Sequence, residues 1–149
     1  MKRYRTTKAQ AWANAVMTWL LRRGRGPAFM WLLTAPGRVS GVPRTTPVVP
    51  VQQGDRRWVV APFGVVGWVR NVRAAGRLEL RRGRDSQTYE ARELESTEAV
   101  PVLRDYLSMP TARYVRDYFD VSSSSSDEAI AAEAGRHPVF ALTPAEAGR

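Results

Sequence analysis

The chain has 149 residues, no cysteine and a single histidine, His137, which excludes thiolate zinc sites, iron–sulfur clusters, thiol catalysis and multi-histidine metal centres. Its 23 Lys and Arg against 14 Asp and Glu leave a net charge of +9, with lysine only at Lys2 and Lys8. The length fits one domain over residues 1–149, and an excess of planar, permanently charged arginine selects anionic partners: a phosphorylated or carboxylated ligand, a membrane surface, or nucleic acid. An enzyme with so little catalytic machinery of its own is expected to take its chemistry from a cofactor, and no metal is expected.

The first predicted element is an amphipathic helix over about Thr7–Arg23, where Trp12, Ala15, Val16, Trp19 and Leu20 recur at helical spacing as one apolar stripe. Arg22 and Arg23 complement the dipole at its end, and Gly24 stops it. The stripe is expected to pack on the helix's own domain. The other reading is peripheral contact with the inner face of the plasma membrane, because Trp on one face and Arg at the end suit anionic headgroups. No run reaches the ~20 apolar residues of a membrane span, and no apolar signal core with a small-residue cleavage site follows the basic N-terminus. The expected location is cytoplasmic.

From Phe29 to Leu94 short apolar or alternating runs are broken by Gly and Pro. Phe29–Leu33 reads as a buried strand, and Thr45–Val51 and Arg57–Ala61 flank Gln52-Gln53-Gly54-Asp55 as a hairpin. Pro43, Pro47 and Pro50 confine their segment to an edge or a bulged strand. Arg77–Arg81 alternates strictly, and a turn at Arg82–Asp85 leads to a strand over about Gln87–Leu94. Glu98–Leu107 and Arg113–Phe119 read as helices, Ser122–Ser126 as a mobile low-complexity loop, Asp127–Ala134 as a short helix and Pro138–Leu142 as a closing strand. Short strands at this spacing predict a small antiparallel barrel within one α+β domain.

The stretch richest in chemistry is Leu32 to Pro47. Gly37 and Gly41 bracket a tight connection between two strands, where backbone amides can converge on an anion. Arg38 and Arg44 add charge and Ser40 a hydroxyl, which together suit a phosphate; an ordinary basic hairpin loop has the same composition.

Gly37-Arg38-Val39-Ser40-Gly41-Val42-Pro43-Arg44-Thr45-Thr46-Pro47 after a short apolar strand resembles the deazaflavin-dependent nitroreductase family of oxidoreductases. Similar features follow in the same order from Met30 onward: the hairpin of Val48–Ala61, Gly67-Trp68-Val69-Arg70-Asn71, the strand at Leu78–Leu80, a segment bearing Tyr106, Tyr114 and Tyr118, and the closing strand from His137 to Leu142. The resemblance implies a split β-barrel of about six antiparallel strands with flanking helices. It also implies the 8-hydroxy-5-deazaflavin coenzyme, coenzyme F-420, as cofactor. By the same resemblance, Gly37, Arg38, Ser40, Gly41 and Arg44 hold the coenzyme phosphate, Pro47 lies beneath the ring system, and Trp68 and Asn71 line the groove.

What the resemblance implies for chemistry is hydride transfer from the reduced deazaflavin to a small hydrophobic, electron-poor substrate such as a quinone, an enone or a nitro compound. The cofactor supplies the reactivity, and Tyr114 or Tyr118 (or solvent) supplies the proton. Val39 stands where many members carry Lys, while Val49, Pro62 and Phe63 stand where the better-known nitroreductases present Tyr and a Ser-Lys pair on the substrate side. That apolar wall points away from nitroaromatics. The Tyr114–Tyr118 segment is expected to cover the substrate side as a mobile lid.

The residues leave three other readings. A Ser-His-Asp hydrolase would need His137, yet Ser40 is not in a nucleophile-elbow pattern, and His137 beside Pro138 is expected at a surface or strand edge. The basic residues are dispersed without a recognition signature, so no specific nucleic acid is expected, and Arg81-Arg82-Gly83-Arg84 is expected to be a solvated turn. Related split barrels bind FMN, haem or fatty acids, which leaves a non-catalytic flavin, haem or lipid carrier as the alternative, with FMN the alternative cofactor.

Overall fold

The computed structural model describes residues 7–145. In chain order they form α1 (Lys8–Arg22), β1 (Trp31–Pro36), β2 (Pro43–Val48), β3 (Val51–Gln53), β4 (Arg56–Val60), α2 (Gly67–Ala75), β5 (Arg77–Arg82), β6 (Asp85–Glu93), α3 (Ser96–Ser108), α4 (Asp127–Glu133) and β7 (Val139–Pro144). The segment expected as a helix over Arg113–Phe119 is instead two 3-10 turns, Pro110–Tyr114 and Arg116–Tyr118.

All seven strands lie in one antiparallel sheet in the order β2-β1-β5-β6-β7-β4-β3, one more than expected. The extra strand comes from Thr45–Val51, which is two strands. Pro50 has no amide to donate, and the chain leaves β2 after Val48 and re-enters the sheet as β3 at Val51. Those two strands are the opposite edges of the sheet, yet only Val49 and Pro50 join them. Two residues reach so short a distance that the sheet must curl until its edges approach, which is the geometry of a split barrel. The prolines of β2 sit on an edge, as their missing amides require: Pro47 opposite Leu32 and Pro43 opposite Pro36.

Each face of the curled sheet has its own core. Leu33, Val59, Leu78, Leu80 and Phe140 pack with Val69 and Val72 of α2. Trp58, Val60 and Val139 pack with Leu103 and Tyr106 of α3 and Ile130 of α4. Alternate residues of β4 thus enter different cores, as a strand's period of two dictates.

Several expectations are corrected. On α1 the stripe of Trp12, Val16 and Trp19 faces outward, with Trp12 72% and Trp19 53% exposed. The opposite face, Asn14, Met17 and Leu21, turns toward the protein, and Leu21 alone is fully buried. The β5–β6 turn anchors this helix: the Gly83 amide donates to Leu21 O at 2.8 Å. Arg82 is no solvated charge either, since its guanidinium donates to the carbonyls of Gly26, Pro27 and Met30 at 2.7–3.2 Å. The serine run is tied down by Arg104, which donates to Ser123 O, Ser125 O and Asp127. His137 is not at a surface but only 3% exposed. Among the described residues no helix is long and apolar enough to cross a membrane, and no group of three or more potential ligands could hold a metal ion.

Candidate active site

Where the curled sheet leaves its edge strand β2, a cleft of about 760 Å³ opens between β2, the start of α2, the inner face of α1 and the segment from Tyr106 to Val115. Its size lies within the range of small-molecule and cofactor sites. The Gly76 C-cap of α2 has φ +69°, a left-handed conformation that ends the helix after Ala75 and leaves its N-terminal turn facing the cleft. Trp68 and Asn71, one helical turn apart, therefore reach the cleft from the same face.

The basic end of the cleft is built from Asn71, Arg38 and Arg44. Asn71 is 5% exposed, and its Oδ1 accepts from the Arg38 backbone amide at 3.1 Å and from Arg38 Nη1 at 3.0 Å. A buried amide oxygen thus fixes both the start of the loop and the direction of its first guanidinium. No carboxylate among the described residues lies within ion-pair distance of Arg38 or Arg44. Two cations without a counter-charge at one end of a cleft form an anion site.

Four amides of the loop are committed within the protein. Gly37 donates to Val42 O, Gly41 to Gly37 O, and Val42 to Ser40 Oγ, while Arg38 donates to Asn71. Gly37 and Gly41 serve the hairpin itself: a Cβ on Gly37 would meet Val42 O at 3.0 Å, and Gly41 has φ +75°. Gly37, Ser40 and Gly41 do not line the cleft, and the guanidinium groups carry its anion chemistry.

The rest of the cleft is apolar. Pro47, Val49, Val60, Pro62, Phe63 and Trp68 form its walls, with hydroxyls from Thr45, Thr46 and Thr111 interspersed. Tyr114 lines the mouth, 66% exposed, and its phenol oxygen accepts from Arg113 Nη2 at 2.7 Å, which leaves its own hydrogen free to be donated. Tyr118 is not in the lining; its ring packs edge-on against Phe63 with centroids 5.0 Å apart. The phenol that reaches the cleft in its place is Tyr106 of α3, 5% exposed, which burial pushes well above the ordinary tyrosine range. Sequence reasoning missed Tyr106 as a site residue, and also Asn14 and Met17 of α1. The inward face of α1 was the signal for these two, obscured by the stronger Trp stripe opposite.

A family model described as F420H(2)-dependent quinone reductase matches residues 5–131. The chain belongs to that family. No curated protein sequence matches it. Among solved structures, an F420-H2 dependent reductase is 22% identical, with a TM-score of 0.55 over 78% of this chain and 95% of that one. A protein described as a domain-swapped dimer is 20% identical, with a TM-score of 0.58 over 91% of this chain and 100% of that one. An FAD-binding protein from Mesorhizobium loti is 13% identical, with a TM-score of 0.50 over 89% of each chain. These likenesses show the split-barrel fold.

Membership of the F420H(2)-dependent quinone reductase family makes the chain an oxidoreductase of an F420-dependent family and implies use of the reduced deazaflavin coenzyme. The cleft's donor set fits that group. Guanidinium groups with no carboxylate partner among the described residues suit a phosphate at one end, and aromatic and proline walls suit a flat ring system.

Proposed function

We propose that this protein uses the reduced deazaflavin to reduce an apolar, electron-poor organic acceptor, a quinone or enone in preference to a nitroaromatic. The observation that carries this reading is the composition of one cleft: two uncompensated arginines at one end and a wall of Val49, Pro62 and Phe63 at the other. Bound in its reduced form, the coenzyme supplies a hydride, which with one proton converts a quinone to a quinol.

Arg38 and Arg44 hold the phosphate by charge-assisted hydrogen bonds, with Arg38 aimed by Asn71. Pro47 and Trp68 flank the ring system, and Val49, Pro62 and Phe63 keep water from the acceptor. The proton is held on a phenol: Tyr114 at the mouth, whose oxygen is fixed by Arg113, or Tyr106 deeper in, kept protonated by burial. A nitro group gains negative charge on its oxygens and needs donors aimed at them, which this wall lacks.

The acceptor is drawn from an anionic lipid surface. Trp12, Val16 and Trp19 are exposed on one face of α1, Arg23 stacks on Trp19 at 4.0 Å, and Asn14 and Met17 on the opposite face line the cleft. The helix thus connects a membrane-suited surface to the site.

The test is loss of reduced coenzyme F-420 with matched quinone, enone and nitroaromatic panels, alongside equilibrium titration with F-420 and FMN. Faster nitroaromatic turnover would overturn the acceptor preference. Tight binding without turnover on any panel would support a carrier. Equal partition of the wild type and the Trp12→Ser/Trp19→Ser variant between buffer and anionic vesicles would remove the lipid surface.

A further inference from the structure

The only histidine is buried beside the cleft, between its wall and the 3-10 turn Arg116–Tyr118. His137 Nδ1 lies 2.9 Å from Ala61 O, and Nε2 lies 2.8 Å from Tyr118 O. Both partners are carbonyl oxygens, which can only accept. A neutral imidazole has one bare nitrogen, whose lone pair would be pressed against a carbonyl oxygen in a buried site. Only the doubly protonated ring satisfies both contacts.

A counter-charge is in place. Glu133, 1% exposed, presents Oε2 at 3.5 Å from His137 Nε2, and this oxygen has no hydrogen-bond partner of its own. Its other oxygen accepts from the Asp120 amide at 3.0 Å and from Arg136 Nη2 at 2.6 Å, while Arg136 Nη1 reaches Asp120 Oδ2 at 3.1 Å. A charged ring gives the buried Glu133 carboxylate a second cation beside Arg136. The Phe119 ring stacks on the imidazole with centroids 3.9 Å apart, favourable for a cation on an aromatic face.

The two carbonyls belong to the segment that carries the apolar wall and to the turn packed against it. Ala61 precedes Pro62 and Phe63 of the apolar wall, and Tyr118 ends the turn whose ring packs on Phe63. We infer that His137 is held as the imidazolium, paired with Glu133, and acts as a positioning residue that pins the Ala61–Phe63 wall to the Tyr118 turn. A proton at this site therefore holds the wall segment and the turn together.

A single histidine gives one imidazole spin system, so the test is nitrogen-15 NMR on the full chain, independent of any turnover. At neutral pH both ring nitrogens are expected to carry hydrogens, with nuclear Overhauser contacts between the Phe63 and Tyr118 rings. Glu133→Gln keeps the shape and removes the counter-charge. It should return the ring to a neutral tautomer and weaken the Phe63–Tyr118 contacts at the same pH, as should His137→Gln. One bare ring nitrogen in the wild type at neutral pH would overturn the charged state. Unchanged Phe63–Tyr118 contacts in both variants would overturn the positioning role.

Discussion

Asn71 Oδ1 holds Arg38 twice, at the backbone amide and at Nη1, across 33 residues of sequence. One atom of α2 thereby sets both the path of the β1–β2 loop and the aim of a cation into the cleft. Asn71→Ala is expected to weaken coenzyme binding by about 1–3 kcal/mol, the range for leaving buried polar groups unpaired. The double variant Asn71→Ala/Arg38→Ala should lose less than the sum of the two single losses, because the residues act as one unit. Isothermal titration of the four proteins measures this.

Arg44 enters the same end of the cleft with no carboxylate partner among the described residues. Arg44→Ala should cost about 1.5–3 kcal/mol of coenzyme affinity, the worth of a hydrogen bond to a charged group. Unlike Asn71→Ala, it should leave the amide exchange of Arg38 unchanged.

The three tyrosines separate by position. Tyr106 and Tyr114 line the cleft and Tyr118 packs on Phe63, so Tyr106→Phe or Tyr114→Phe should lower kcat, whereas Tyr118→Phe should leave it within about threefold. Burial favours the neutral phenol of Tyr106. Its contribution to stability is therefore present below the free tyrosine value of about 10 and is lost as pH rises from there toward its higher folded value. Tyr106→Phe should remove part of the alkaline fall in denaturant stability, together with the last-titrating phenolate absorbance.

Gly83 has φ +60°, and a Cβ built on it would lie 2.9 Å from Gly24 Cα, a backbone atom that cannot swing aside. Gly83→Ala should cost about 1–2 kcal/mol for the left-handed conformation alone, with the clash in addition. The anchor from Gly83 to Leu21 should weaken with it, seen as faster proteolysis within α1 and a lower Tm.

At the start of α3, Glu98 hydrogen-bonds Arg92 and caps the Glu95 amide, which holds its carboxyl below the usual range. That support is present above the unfolded value of about 4.3 and is lost as pH falls through the lower folded one. Amide exchange in the first turn of α3 should accelerate on acidification in the wild type, and already be fast at neutral pH in Glu98→Gln.

Local pattern determined most elements of this protein, because periodicity and Gly/Pro punctuation act within a few residues. The alternation of Arg77–Arg81 is β5, the run expected as the first helix is α1, and the prolines of β2 lie on an edge. The motif from Gly37 to Pro47, with Trp68 and Asn71, marked the cleft through Arg38, Arg44, Pro47, Trp68 and Asn71. Tertiary structure decided which face of α1 turns inward, since two faces had apolar residues and docking contacts such as Gly83 on Leu21 choose between them. It decided that Tyr106 rather than Tyr118 reaches the cleft, because 3-10 turns replace the expected helix and rotate the later phenol onto Phe63. It also placed His137 between two carbonyls more than fifteen residues away in sequence, a buried pairing that no local propensity could announce.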